Sequence, residues 1–418
     1  MAAPKIISLF TGAGGLDYGF EAARFDTAVA VELDPTACKT LRHNRKWPVI
    51  ERDIFQVPTA EILSTGGFDT GEPDLLIGGP PCQPFSKSGY WARGDSKRLD
   101  DPRASTLAAY LRVLDEAQPK AFVLENVPGL AFSKKDEGLK LILREVEEIN
   151  RRRGTSYCPS FTVLHAKEHG VPQDRSRFFM VAARDGRTFE FPRATHQEIE
   201  SAGPLFGSVD MEPYRTAWDA IGDLPHDGLD EERAELSIRG KWASLLPSIP
   251  EGQNYLWHTE RGGGLPLFGW RRRYWNFLLK LAKARPSWTL QAQPGPAVGP
   301  FHWANRRLSR RELCRLQTWP DNVDVVGTLL AAQRQIGNGV PSLVAELLGR
   351  AIRVQLLDLP AVKGPPRLLP PRRTAVPQPE RVAKVPKKFQ GLVGRHEAHP
   401  GTGQGYGAQK RAQAVLAE

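Results

Sequence analysis

Ser8-Leu9-Phe10-Thr11-Gly12-Ala13-Gly14-Gly15-Leu16 closes an apolar run and opens onto small residues, the pattern of a strand, a glycine-rich turn and a helix start. With few Cβ atoms in the way, backbone N–H groups at the helix N-terminus can approach a ligand closely. The bland alternative is a tight strand-to-helix turn that binds nothing. A nicotinamide dinucleotide would call for Gly-x-Gly-x-x-Gly, but the third glycine position holds Asp17, which disfavours an NAD oxidoreductase.

Outward from this turn, the first ~185 residues alternate between apolar runs and helix-like stretches, predicting an α/β fold. Strands are expected over 5–10, 27–32, 74–77, 121–125, 161–165 and 178–183. Asp34-Pro35 reads as an N-cap followed by proline in the first helical position. The stretch 136–151 carries Leu139, Ile142, Leu143 and Val146 at helical spacing. Between ~185 and ~305 periodicity dissolves among Gly, Pro and Trp, which predicts a separate, irregular domain. Periodicity returns at Ser309-Arg310-Arg311-Glu312, a capping-box pattern, and a last helix is expected after Pro341 with Leu343, Leu347, Ala351 and Ile352 on one face. The predicted organisation is therefore 1–184 with 306–357 as one discontinuous domain, 185–305 as a second, and 358–418 as a disordered basic tail.

Composition bounds the function. The 418 residues are 40% hydrophobic and 25% charged, and no run approaches the ~20 apolar residues of a membrane helix. The short apolar run at the N-terminus reads as a strand rather than a signal-peptide core, so an intracellular, cytoplasmic location is the default expectation. Cys38, Cys82, Cys158 and Cys314 are far apart, which disfavours a disulfide framework or a cysteine-rich zinc site and leaves single use as a nucleophile. The net charge is +10, but residues 359–418 hold 11 Lys/Arg against 3 Asp/Glu. High net charge alone is thus no sign that the core binds nucleic acid.

The chemistry-bearing residues sit where an α/β sheet would gather them. Glu32 ends the second predicted strand, where a carboxylate suits the paired hydroxyls of a ribose; Asp53 follows another short apolar run and could accept from an adenine amino group. Gly78-Gly79-Pro80-Pro81-Cys82-Gln83 leaves a strand end, and its two prolines would hold the thiol at a fixed place on a loop. Glu125 finishes an apolar strand and should face the same cleft. Alternation across Gln173-Asp174-Arg175-Ser176-Arg177 puts Gln173, Arg175 and Arg177 on one face, suited to a carbonyl oxygen, a phosphate or a carboxylate. His165-Ala166-Lys167-Glu168-His169 matches a zinc-peptidase pattern, but that chemistry needs a helix, and Gly170-Val171-Pro172 breaks one at once, so no metal is expected.

Taken in order, these motifs resemble the DNA (cytosine-5)-methyltransferases. The resemblance runs from Phe10 through Gly15, then Glu32, Asp53, Pro80-Pro81-Cys82-Gln83, Glu125-Asn126-Val127 and Gln173-x-Arg175-x-Arg177. It resumes at Arg307-Leu308-Ser309, Glu312, Arg315-Leu316-Gln317 and Trp319-Pro320, and closes with Gly337-Asn338-Gly339-Val340-Pro341. Departures are small: Ser8 stands where many members have Asp, and Trp319 where Phe is usual.

The resemblance implies a class I methyltransferase domain that uses S-adenosyl-L-methionine, with 185–305 as a target recognition domain. Phe10, Gly12, Gly14, Gly15, Glu32, Asp53, Pro80 and Asn338 would hold the cofactor. Cys82 would attack C6 of a flipped-out cytosine, Glu125 would hold its N3/N4 edge, and Arg177 with Arg175 would bind the O2 side. Residues 83–102 would form a mobile loop whose Lys87, Arg93, Lys97 and Arg98 meet phosphates, although a solvated surface loop is the bland reading. Between Arg261 and Arg285, cations including Arg271, Arg272 and Arg273 interleave with aromatics, as suits a DNA groove, while Trp275 to Leu281 could equally pack inward as an amphipathic helix. The expected partner is double-stranded DNA, with a monomeric, nucleoid-associated enzyme and room for a companion restriction endonuclease acting on the same site. A tRNA methyltransferase and a catalytically silent DNA-binding module are the competing readings; the sizeable middle domain weighs against the first, and intact Cys82, Glu125, Arg175 and Arg177 against the second.

Overall fold

The computed structural model describes residues 2–81, 105–132, 137–198, 211–227, 233–270, 275–293 and 295–394. Its centre is a seven-stranded sheet. In chain order, β1 (Lys5–Leu9), α1 (Gly15–Ala22), β2 (Asp26–Glu32), α2 (Pro35–Asn44), β3 (Val49–Glu51), α3 (Thr59–Gly66) and β4 (Leu75–Gly78) build one half. The helix Ser105–Ala117, β5 (Ala121–Asn126), the helix Glu137–Arg153, β6 (Ser160–His165), β7 (Gln173–Asp174) and β8 (Ser176–Ala183) build the other. The sheet order is β3-β2-β1-β4-β5-β8-β6, and β8 runs antiparallel to both β5 and β6. β7 lies outside this sheet, paired with Ser287–Trp288.

The central strands are continuous apolar runs because helices cover both faces of the sheet. Ile7, Leu9, Leu76, Phe122 and Met180 face one core; Ile6, Ile77, Val123, Phe179 and Val181 face the other. The predicted caps form. Asp34 accepts from Thr36 and Ala37 at the head of α2, and Ser309 and Glu312 close a reciprocal capping box at the helix Arg310–Leu316. The helix Ser342–Gln355 packs on α1 so closely that a Cβ on Gly19 would lie 2.2 Å from the Ser342 carbonyl oxygen and 2.4 Å from the Ala345 Cβ. The chain's later segments thereby complete the fold begun at its N-terminus.

Three differences from the sequence reading have physical causes. First, Ala217–Ile221 is a short helix packed with Leu313, Leu316, Trp303 and Leu308, so part of 185–305 shares a core with the later segments. Second, Trp275 to Leu281 forms no helix: Phe277 and Lys280 make isolated bridges to Val298 and Phe301, and Phe277 and Leu278 enter an aromatic core with Trp242, Tyr255 and Phe268. Third, residues 359–394 do not dangle. They run over the surface as an irregular segment held by Glu346, Asp219 and Lys283, ending in the short helix Lys387–Gln390, which buries Phe389. The expected disordered tail fails over this stretch because isolated polar anchors leave no periodic trace in sequence. Among the described residues, no helix is long and apolar enough to cross a membrane.

Candidate active site

The C-terminal ends of β1, β2, β4 and β5 meet on one edge of the sheet. β1 gives way to Phe10 at φ 53°, Gly12 at φ 58° and Gly14 at φ 92°, three successive departures into the left-handed region. No heavy atom lies within 4 Å of where a Cβ on Gly12 would stand, so that face of the turn opens onto free space. The turn is tied by Gly14 N–H donating to the Thr11 carbonyl and by the Ser8 and Thr11 hydroxyls, 3.0 Å apart. Gly15 has a different job: a Cβ there would meet the Val340 carbonyl oxygen at 2.9 Å and the Trp319 indole at 3.0 Å. Two segments from late in the chain thus close against the backbone of Gly15.

Glu32 fixes this turn to the end of β2. One carboxylate oxygen accepts from Gly12 N–H at 2.7 Å; the other accepts from Leu33 and Asp34 at 2.9 and 2.8 Å. Burial raises its pKa, opposed by those backbone donors. Asp53 caps a single 3-10 turn through Phe55 N–H. Beside these two acids, Leu33 is 61% and Phe55 53% exposed. Open space at Gly12, two carboxylates with lone pairs to spare and uncovered apolar side chains next to them fit a nucleoside-bearing group. Asn338 ends the helix Leu329–Asn338 with its side chain exposed.

β4 and β5 position the second half of the site. Asn126 donates to the Pro80 carbonyl at 3.1 Å, and Thr106 donates to the Pro81 carbonyl at 3.1 Å. The two residues before Cys82 are therefore anchored to two different elements. Cys82 itself, with Lys87, Arg93, Lys97 and Arg98, lies outside the described residues, as do Arg271, Arg272 and Arg273.

Glu125 is 9% exposed at the end of β5, and its Oε1 is 2.8 Å from Arg177 Nε. The antiparallel course of β8 explains this meeting: residues that begin β8 fall at the same sheet edge as residues that end β5. Burial pushes the Glu125 carboxyl up, while Arg177 and Arg175 pull it down. Gly79 lies so close that a Cβ on it would be 2.6 Å from Glu125 Oε2.

Arg175 parts company with Arg177. Its guanidinium donates to the carbonyls of Gly337 at 2.8 Å and Gly339 at 2.9 Å, and Gln173 donates to the Leu316 carbonyl at 3.1 Å. Gln173 and Arg175 therefore bind the start of β8 to the later segments, whereas Arg177 alone pairs with Glu125. Asn126, Thr106 and Gln317, whose side chain donates to the Ile336 carbonyl, carry no signal in the sequence, because each acts on backbone, which leaves no pattern to read. The zinc-peptidase look-alike is a single 3-10 turn, Ala166–His169, ended by Gly170 in the left-handed region, with His165 hydrogen-bonded to Ser176.

A six-plus-one α/β sheet of this order, with an acid and an arginine paired beside the anchored Pro80-Pro81 segment, defines a methyltransferase. Residues 4–353 match the C-5 cytosine-specific DNA methylase family, and the chain belongs to it. It is 41% identical over 374 residues to the type II methyltransferase M.SacI of Streptomyces achromogenes, covering 84% of this chain and 93% of that protein. It is 32% identical over 342 residues to M.NgoFVII of Neisseria gonorrhoeae, covering 81% and 83%. Among solved structures, a DNA modification methyltransferase from an E. coli prophage superposes with a TM-score of 0.58 at 23% identity, covering 85% of this chain and all of that one. A DNMT2 of Spodoptera frugiperda superposes at 0.56 and 17% identity, covering 83% and 98%. These two likenesses bear on the fold. The protein is a DNA (cytosine-5)-methyltransferase.

Proposed function

We propose that the enzyme methylates C5 of a flipped-out cytosine within a specific double-stranded DNA sequence, through a covalent bond between Cys82 and C6. The buried Glu125–Arg177 pair, beside the anchored Pro80-Pro81 segment, is the observation that carries this reading. Cytosine C5 is a poor nucleophile. Addition of the Cys82 thiolate to C6 pushes electron density onto C5 and makes it reactive toward an electrophilic carbon. Glu125 meets the N3/N4 edge, and its raised proton affinity suits it to share a proton at N3 as negative charge develops there. Arg177, held by Glu125, faces the O2 side. Loss of the C5 proton and departure of Cys82 then restore the thiolate and the aromatic ring. The target base leaves the stack because a thiol cannot reach C6 within a duplex.

S-adenosyl-L-methionine, when bound, supplies the electrophilic methyl group. Glu32 and Asp53 would hold its nucleoside, and the turn Phe10–Gly14 with Pro80 and Asn338 its remaining atoms. Residues in 185–305 serve as the target recognition domain, with Arg261 stacked over Trp270 at 4.2 Å supporting a nucleic-acid surface there. Lys280 and Lys283 take no part in that surface: Lys280 donates to the Ile249 carbonyl and Lys283 pairs with Glu251 and Glu380. Type II relatives support a place in a restriction-modification system, protecting sites from a companion endonuclease.

Bisulfite sequencing of host DNA from cells expressing the protein should show 5-methylcytosine in one sequence context. Cys82→Ser should abolish transfer of labelled methyl groups while DNA and cofactor binding persist. Near-normal turnover by that variant, or transfer to tRNA in preference to DNA, would overturn the reading.

A further inference from the structure

Residues 365–394 connect the catalytic body to the irregular lobe at four successive anchors. On the body, Glu346 of the helix Ser342–Gln355 is fully buried and accepts from Arg367 N–H at 2.7 Å and Leu368 N–H at 2.9 Å. Next, Asp219, 1% exposed, accepts from Arg373 N–H at 2.7 Å and from the Arg372 guanidinium at 3.0 Å. Then Glu380 lies 2.9 Å from Lys283 Nζ, beside the buried Lys283–Glu251 pair at 2.6 Å, and Glu380 N–H donates to Glu251 at 2.8 Å. Finally Phe389, 2% exposed, stacks on Trp242 with centroids 5.5 Å apart and planes 12° apart.

The last anchor completes a core. Among the described residues, the other buried members of the lobe's aromatic cluster lie between Trp242 and Phe301, whereas Phe389 comes from this segment, with Val385 and Leu392 packed beside it. Beyond it, Gly394 N–H donates to the Pro266 carbonyl at 3.2 Å, on the segment that leads from Arg261 to the exposed Trp270. A chain fixed to the body at Glu346 and Asp219, to the junction at Lys283, whose carbonyl accepts from Trp218 N–H, and to the lobe at Trp242 and Pro266 restricts how the lobe can turn relative to the cleft.

We propose that residues 365–394 are a strap that holds the recognition lobe in the orientation needed to engage DNA, with Glu380 and Phe389 as its positioning residues. This rests on the assignment of the lobe to DNA recognition. The strap touches neither Glu125 nor Glu32, so its loss should alter DNA engagement and leave cofactor binding alone. A charge contribution alone would behave otherwise, because Glu380 and Phe389 add no positive charge.

The test compares full-length enzyme, a chain ending at Gly394, a chain ending at Leu359, and the full-length double variant Glu380→Gln/Phe389→Ala. Steady-state methyl transfer to unmethylated plasmid DNA gives KM and kcat, and calorimetry gives S-adenosylmethionine affinity. The chain ending at Gly394 should match full length. The double variant and the shorter chain should raise KM for DNA about tenfold or more, with kcat within about twofold and cofactor affinity unchanged. A peptide spanning 360–394, added in trans, should lower the KM of the shorter chain. An unchanged DNA KM in the double variant overturns the proposal, as does a parallel loss of KM, kcat and cofactor affinity, which marks general unfolding. The variant Arg261→Ala/Trp270→Ala separates the two ideas. If it raises KM for DNA while the strap variants do not, the strap fails and the lobe assignment stands. If it leaves KM unchanged, the lobe assignment fails.

Discussion

Arg177 Nε lies 2.8 Å from Glu125 Oε1, and both side chains are largely withdrawn from solvent. The pair comes from strands of opposite direction, so its geometry depends on the register of β5 against β8 rather than on either loop. A buried pair of this kind is costly to break, because the remaining charge stays desolvated.

Glu125→Gln should therefore separate binding from chemistry. The amide keeps the shape but removes the proton-sharing carboxylate and leaves Arg177 without its charged partner. Single-turnover methyl transfer should slow by roughly 10²–10⁴, while calorimetric affinity for S-adenosylmethionine stays near that of the parent. A variant that turns over within a few-fold of wild type would remove Glu125 from the mechanism.

Arg175 should behave unlike Arg177 despite sitting two residues away. It donates to the Gly337 and Gly339 carbonyls, and burial lowers its pKa. Arg175→Ala removes the donor to the buried Gly337 carbonyl and the partly buried Gly339 carbonyl, at about 1.5–3 kcal/mol for a charged hydrogen bond. The expected result is a lower melting temperature and weaker cofactor binding through displacement of Asn338. Arg177→Lys should instead lower kcat with little thermal effect. Equal melting curves for Arg175→Ala and wild type would refute this division.

The two glycines of the β1 turn predict opposite readouts. At Gly12 a Cβ meets nothing within 4 Å, so Gly12→Ala intrudes on the space assigned to the cofactor and also strains a backbone at φ 58°. At Gly15 the added carbon meets the Val340 carbonyl and Trp319. Gly15→Ala should cost stability of about 1–3 kcal/mol by overpacking. Paired calorimetry and thermal melts should show Gly12→Ala dominated by lost affinity and Gly15→Ala by lost stability.

How much of this was legible in the sequence varies by physical cause. The strands β1, β2, β4, β5 and β8 announce themselves because burial on both faces demands unbroken apolar runs. The capping residues Asp34 and Ser309 announce themselves through local hydrogen-bond chemistry. β3 is three residues long and gave only a hint ahead of Asp53. Glu32 and Glu125 stand out in the sequence because each sits at the end of an apolar strand. Alternation groups Arg175 with Arg177 because it shows which face a side chain takes, not that its acceptors lie 162 and 164 residues further on. The burial of Lys283 was hidden for the same reason: its partners, Glu251 and Glu380, are 32 and 97 residues away. The strap was missed because Pro-rich chain docked by scattered ion pairs and one aromatic side chain has the composition of a tail.

Asp17, the residue that argued against a nicotinamide site, gives a pH prediction. It is fully buried in α1, accepts from Thr27 at 3.1 Å, and leaves its Oδ2 without a hydrogen-bond partner. Burial pushes its pKa up to about 6, against 3.8 in a free side chain. The folded state therefore holds this proton more tightly than the unfolded chain. The associated stability is fully present below pH 3.8 and is lost as pH rises through about 6. At pH 7 and above, folding carries the whole cost of ionising a desolvated carboxyl, up to roughly 3 kcal/mol for a shift of this size. Asp17→Asn removes the ionisation and keeps a side chain that can bond to Thr27. Its melting temperature should exceed that of wild type at pH 7.5, and the advantage should shrink steadily between pH 6 and pH 4. Differential scanning calorimetry across that range decides the matter. A pH-independent difference between the two proteins would show that Asp17 holds its proton no more tightly in the folded state than in the unfolded chain, and that its neighbours in α1 and β2 compensate the buried charge.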